Sequence, residues 1–152
     1  MRRIAGVLLL VLVAPAALAG CHRGDRATTG GVVSYNDTFS FWVSFDEPVR
    51  TGHPVTWVLN IENRSKNPVT LRFSSGKDGD VALQRGGREV YRWSANRVFS
   101  QALRQVHLAA GARHAFPLQE KTLAAPAGDY ELVAVMASDP SPGELRRPVT
   151  VR

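Results

Sequence analysis

The chain has 152 residues, 44% hydrophobic and 21% charged, which is enough for one domain with a real core and excludes a disordered chain. Its formal charge is +6, but the basic side chains are scattered and carry no nucleic-acid motif, so a nucleic-acid partner is set aside. A lone cysteine, Cys21, excludes an intrachain disulfide.

The first segment reads as an export signal. Arg2-Arg3 is followed by an apolar run at 4–13, then Pro15 and the small residues Ala16, Ala17, Ala19 and Gly20. The apolar stretch at 4–19 is shorter than the roughly 20 residues that a spanning helix prefers. Leu18-Ala19-Gly20-Cys21 resembles a bacterial lipobox. There the thiol takes a diacylglyceryl group, and small residues before it let the extended backbone enter a peptidase cleft. Each buried methylene adds about 0.8 kcal/mol, so two or more acyl chains give a stable anchor. The expected layout is a signal peptide at 1–20, lipidated Cys21 and a polar Gly-rich tether at 21–31, and a folded domain at 32–152. This predicts a membrane-anchored protein of the bacterial cell envelope. His22 rather than Asp after the cysteine fits the outer membrane, where the organism has one. Loss of Arg2 and Arg3 leaves 17 basic against 13 acidic side chains, a charge compatible with weak attraction to anionic lipid or acidic glycans. Arg23-Gly24-Asp25 is read as a chance tripeptide.

The folded domain reads as short strands. Residues 32–45 hold a short strand, a turn or bulge at Asn36-Asp37, and a strand with Phe39, Phe41, Val43 and Phe45 on one face. Pro48 and Pro54 allow only a short edge strand between them. The strand at 55–62 points Val55, Trp57, Leu59 and Ile61 one way, and the return strand at 69–73 points Val69, Leu71 and Phe73 inward. Lys77-Asp78-Gly79-Asp80 reads as a turn, followed by a strand at 81–84, the Gly86-Gly87 hairpin and a strand at 89–94. Residues 95–105 hold at most one helical turn around 99–103. Short strands follow at 106–108 and 113–118. A clear strand starts at Gly128-Asp129-Tyr130, where immunoglobulin-type sandwiches place a tyrosine whose hydroxyl bonds backbone upstream. The strand at 145–151 contains Pro148, which suggests an edge. The predicted fold is an all-β, immunoglobulin-like antiparallel β-sandwich of about eight strands.

Several pieces of this domain resemble the BsuPI family, small bacterial domains named for an intracellular proteinase inhibitor. They are Asn60, Asn63, the run 69–76 (VTLRFSSG), Asp80, the run 90–94 (VYRWS), Phe99, Gln101, Leu108, Gly111 and Gly128-Asp129-Tyr130. The most specific part is Tyr91 to Ser94 with Phe99 and Gln101. The resemblance implies an immunoglobulin-like sandwich and inhibition of a serine proteinase. Two departures stand out: Gly79 occupies a place where the family often has an aromatic, and a later tryptophan is absent after Phe116.

Chemistry is sparse. There is no Gly-x-Ser-x-Gly and no His-Glu-x-x-His, and His53, His107 and His114 lack ligand spacing, so neither an enzyme, a metal nor a cofactor is expected. Asp78 and Asp80 have the chemistry to touch a cation, but a turn is the simpler reading. His107 is expected to face solvent. Trp42 either packs, the favoured reading, or anchors a partner from an exposed face. Trp57 and Trp93 are assigned to the core or to loop support. The expected function is that of a binding module, foremost a proteinase inhibitor working through loops 74–80 and 94–101. The residues expected to contact the partner are Ser75, Gly76, Lys77, Asp80, Arg97 and Phe99, with Arg97 suited to a trypsin-like pocket. The alternative is a non-inhibitory lipoprotein that scaffolds an envelope complex.

Overall fold

The computed structural model describes residues 33–35 and 38–152. The expected signal peptide, lipobox (Leu18-Ala19-Gly20), lipidated Cys21, tether and Asn36-Asp37 turn all fall outside the described residues. Eleven strands follow in order: β1 (Val33–Tyr35), β2 (Phe39–Ser44), β3 (Val55–Asn63), β4 (Val69–Phe73), β5 (Gly79–Arg85), β6 (Arg88–Arg92), β7 (Arg104–Leu108), β8 (Arg113–Glu120), β9 (Gly128–Met136), β10 (Ser138–Asp139) and β11 (Glu144–Val151). The short first strand was expected; β10, where a turn was expected, was not. No helix occurs among the described residues, and none there is long and apolar enough to cross a membrane.

Every pairing between these strands is antiparallel, in three sheets ordered β1-β2-β3-β8, β10-β4-β7 and β11-β9-β5-β6. Two sheets were expected, and the third arises because one run of chain changes partner. β9 pairs with β5 up to Met136, the Ala137 N–H then donates to the Asp78 carbonyl at 2.9 Å, and β10 pairs with β4 opposite Phe73. Sandwiches turn corners where a strand switches sheets in this way.

The period-two pattern explains the core. In β3 Val55, Trp57, Leu59 and Ile61 are all buried, with Trp57 at 0% exposure, while Thr56 faces solvent. β2 and β8 flank β3 and add Phe39, Phe41, Val43, Phe116 and Leu118. Leu71, Phe73, Val81, Leu83, Tyr130, Leu132 and Leu145 join the same cluster from the other two sheets. Burying each such side chain contributes roughly 1.5–3 kcal/mol. Phe45 meets Trp57 edge-on, ring centroids 5.0 Å apart.

The edges follow the prolines. β11, which holds Pro148, is an edge strand, and between Pro48 and Pro54 only an isolated bridge forms, Val49 to Val151. The Tyr130 hydroxyl donates to the Pro126 carbonyl at 2.7 Å, the corner bond expected of that residue. His107 is exposed and its Nδ1 lies 2.9 Å from Thr70 Oγ1. Trp42 is half-buried, with the Arg113 guanidinium 5.8 Å above its ring, so it packs rather than standing free.

Two expectations need correction. Residues 97–103 form no helical turn; they run without regular structure into β7. Long-range bonds hold them open: the Gly76 N–H donates to the Ser100 carbonyl at 2.8 Å, and Phe99 lies against Trp93. The turn expected at 77–80 ends earlier, because β5 begins at Gly79 and takes Asp80 into its ladder opposite Val135. An aromatic has no room at position 79. Even a Cβ there would collide with Leu59 Cδ1 and the Val135 carbonyl oxygen, which accounts for the glycine.

Candidate functional site

Two connections meet at one end of the domain: residues 74–78, between β4 and β5, and residues 93–103, between β6 and β7. Asp80 ties them together. It is 2% exposed, and β5 points its carboxylate at both loops. Oδ2 accepts from Lys77 Nζ at 2.7 Å, from Arg92 Nη1 at 3.2 Å and from the Ser94 hydroxyl. Oδ1 accepts from the N–H groups of Val81 at 3.0 Å and Ser94 at 3.2 Å. Burial alone would raise the pKa of Asp80. The hydrogen bonds from Lys77 and Ser94, the Lys77 charge and the Arg92 bond outweigh it and hold the carboxyl below its ordinary value.

The rest of the frame radiates from Asp80. Lys77 Nζ also donates to Ser94 Oγ at 3.1 Å and lies 5.8 Å from the Phe99 ring centroid. The Ser75 hydroxyl accepts from the Lys77 N–H at 3.2 Å. Gly76 passes so close to residue 100 that a Cβ on it would lie 2.7 Å from Ser100 Oγ. Phe99 is partly buried, 5.7 Å from the Trp93 ring, and Trp93 Nε1 donates to the Gln119 carbonyl at 3.0 Å on β8. Arg97 lies against the same indole, its guanidinium 4.4 Å from the Trp93 centroid.

The structure therefore brings all six expected contact residues, Ser75, Gly76, Lys77, Asp80, Arg97 and Phe99, to one end of the sandwich, but gives most of them internal work. Asp80 is sealed from solvent and cannot touch a partner directly. Arg97 donates from Nε to the Trp93 carbonyl at 2.8 Å, and from Nη2 to the Gln119 carbonyl at 2.8 Å and Glu120 at 3.2 Å. Hydrogen bonds from a charged group contribute roughly 1.5–3 kcal/mol each where they are shielded, and somewhat less at this half-exposed site. Releasing the guanidinium into a trypsin-like pocket would forfeit three of them and the stacking.

Sequence reasoning missed the residue that these anchors leave outside. Val98, between Arg97 and Phe99, is fully exposed at 101%, and Leu103 at the far end of the segment is 84% exposed. The signal was present in the alternation Arg97-Val98-Phe99, whose outer members both pack on Trp93. A shallow groove of about 460 Å³ adjoins the segment, lined by Val90, Trp93, Asn96, Arg97, Glu120 and Thr122. Tyr91, on the same wall, donates its hydroxyl to Glu120 at 3.0 Å; burial first, then the Glu120 charge, pushes its pKa up.

Asp78 and Asp80 do not form a cation site, since Arg104 is paired with Asp78, and Lys77 and Arg92 with Asp80. Among the described residues no group of three or more His, Cys, Asp or Glu is placed to hold a metal.

The family model described as BsuPI, intracellular proteinase inhibitor, matches residues 43–141. A comparison with curated proteins finds no match. Among solved structures, a β-glucosidase from Erythrobacter marinus shares 9% identity at a TM-score of 0.44, with 76% of this chain and 15% of that one covered. A β-glucosidase from Listeria innocua shares 16% identity at 0.42, with 74% and 16% covered. At those scores, and across so small a share of the larger chains, the two likenesses carry no argument. The family match corrects one expectation. A family described as intracellular points to the cytoplasm, which overturns the cell-envelope and outer-membrane location inferred from the N-terminal segment. The matched span starts in β2 and ends just beyond β10, so it contains Asp80, both loops and Tyr130, and on that match the chain belongs to the BsuPI family of intracellular proteinase inhibitors.

Proposed function

We propose that this chain inhibits a serine proteinase by presenting residues 94–103 to the enzyme's cleft, with residues 74–80 as the buttress. The observation that carries the reading is the contrast within three consecutive residues: Val98 is fully exposed while Arg97 and Phe99 are both held against Trp93. A proteinase binds an extended segment with one side chain in its pocket. An inhibitor binds tightly when that segment is already ordered, because little conformational entropy remains to be lost. The Asp80 hub supplies this order by joining the two loops through Lys77 and Ser94. The family's inhibitor description supports the activity, and the frame supports the place where it acts.

Titration of the purified full-length chain against a panel of serine proteinases with chromogenic substrates tests the proposal. Inhibition at micromolar or lower concentration is expected, with loss on replacing 96–101 by a Gly-Ser linker of equal length. No inhibition across the panel, or inhibition indifferent to the linker, would refute it. A partner other than a proteinase recovered by crosslinking, with no proteinase, would favour the non-inhibitory scaffolding alternative.

A further inference from the structure

Resting on the inhibitory reading above, we infer that Val98 is the side chain that fills the proteinase's primary specificity pocket, and that the target is an enzyme whose pocket takes small branched aliphatic residues. Four observations lead there.

The first concerns the cations. A trypsin-like pocket needs a free lysine or arginine. Around this segment Lys77 is paired with Asp80, Arg92 with Glu89 and Asp80, Arg97 with Glu120, and Arg104 with Asp78. Each of these four basic side chains thus already has a carboxylate partner. Arg97, the nearest in sequence, also has two backbone carbonyls and an indole face.

The second concerns the backbone. The Arg97 N–H donates to the Ser94 carbonyl at 3.1 Å, and the Ser100 carbonyl accepts from Gly76 at 2.8 Å. These bonds pin the chain on both sides of Val98 and Phe99. Among the described residues no hydrogen bond engages the main chain of Val98 or Phe99 themselves. A proteinase reads an extended segment through main-chain hydrogen bonds and seats its side chains in pockets, so unengaged groups between two pinned points are the feature it requires.

The third is the side chain itself. Val98 is apolar, β-branched and at 101% exposure wholly in solvent. Its β-branch restricts rotation about χ1, so little side-chain freedom is lost on entering a pocket. Exposure of this kind has no folding benefit, and burial in an apolar pocket would recover the hydrophobic contribution.

The fourth separates Val98 from the other exposed candidate. Leu103 adjoins the first residue of β7 and walls a shallow recess with Arg72 and Phe73. It sits at the base of the segment, and the pinned stretch lies at 97–100. Leu103 is therefore a lateral contact at most.

The experiment compares inhibition constants of the full chain and three variants against an elastase-type, a chymotrypsin-type and a trypsin-type proteinase. Wild type is expected to inhibit the elastase-type enzyme best. Val98→Ala removes two methyl groups from a pocket where each is worth about tenfold or more, so inhibition should weaken by roughly 100-fold or more. Val98→Arg should exchange the preference, losing the elastase-type enzyme and gaining the trypsin-type one. Leu103→Ala should change each constant less than about threefold, as a contact outside the pocket would. Because both side chains are in solvent, thermal midpoints should match wild type and folding failure is separated from loss of binding. A wild-type preference for the trypsin-type enzyme, or selectivity unaltered by Val98→Arg, overturns the inference and leaves the inhibitory reading standing. Wild type that inhibits none of the three overturns both.

Discussion

Asp80→Asn is the sharpest test of how the two loops are held. The substitution keeps the size and the Oδ1 acceptor for the Val81 and Ser94 N–H groups, so the β5 backbone is undisturbed. It replaces Oδ2, the acceptor for Lys77, Arg92 and the Ser94 hydroxyl, by an NH2 that faces two cations. The three bonds are unequal. Arg92 and Lys77 are 40% and 28% exposed and regain water when released, so each of those pairs contributes about 1 kcal/mol or less. The Ser94 hydroxyl bonds a buried charge, worth about 1.5–3 kcal/mol, part of which it keeps by rotating to accept from the new amide. The expected loss is about 2–3 kcal/mol. With a urea slope of about 1–3 kcal/mol/M, the midpoint should fall by about 0.7–3 M at neutral pH. The sign in acid follows from the lowered pKa. The folded chain keeps Asp80 ionised below the unfolded value of 3.8, so its contribution is full above 3.8 and fades as pH falls through the folded pKa. The gap between wild type and Asp80→Asn should therefore close in that acid range. Urea melts of both proteins from pH 7 to pH 2 measure it. A neutral-pH difference under about 0.5 kcal/mol, or a gap that does not narrow in acid, would refute the assignment of Asp80 as the tie between the loops.

Three further outcomes follow from single contacts. Gly79→Ala should destabilise by about 3 kcal/mol in urea melts, because the new methyl meets Leu59 and the backbone of Val135, neither of which can yield without moving the core. Tyr130→Phe deletes the hydroxyl bond to Pro126 and keeps the ring in the core, so the loss should be about 1 kcal/mol with no change in the inhibition constant. Tyr91 should resist ionisation well past the ordinary value of 10.0 in an absorbance titration, and stability should decline as pH rises above 10.0 because the unfolded chain releases that proton first.

The parts of this molecule that were legible in the sequence are those set by local period. Trp57, Leu59 and Ile61 alternate with polar neighbours, and a strand with one face in a core is the arrangement that buries all three. Tyr130 follows Gly128-Asp129 at the start of a strand, and its corner bond spans four residues, which keeps it within reach of local reasoning. The loops obey another rule. Asp80 is 14 residues from Ser94, Arg97 is 22 from the Gln119 carbonyl and Gly76 is 24 from Ser100, so no window of sequence contains the partners that fix them. Residue type alone made Asp80, Arg97 and Phe99 the natural contact residues, because a charge or an aromatic in a loop is ordinarily free to bind.

Tertiary contacts give these side chains internal partners, and that arrangement has a physical logic. A loop stiff enough to inhibit must spend its strongest side chains on its own frame. The carboxylate, the guanidinium and the ring that would attract a partner are thus the groups least available to one. What is left for recognition is an ordinary side chain whose worth comes from where its neighbours hold it. On the proposed reading that residue is Val98, anchored through Arg97 and Phe99 on either side, and a search for partner contacts that weighs side-chain chemistry ahead of neighbour anchoring will pass over it.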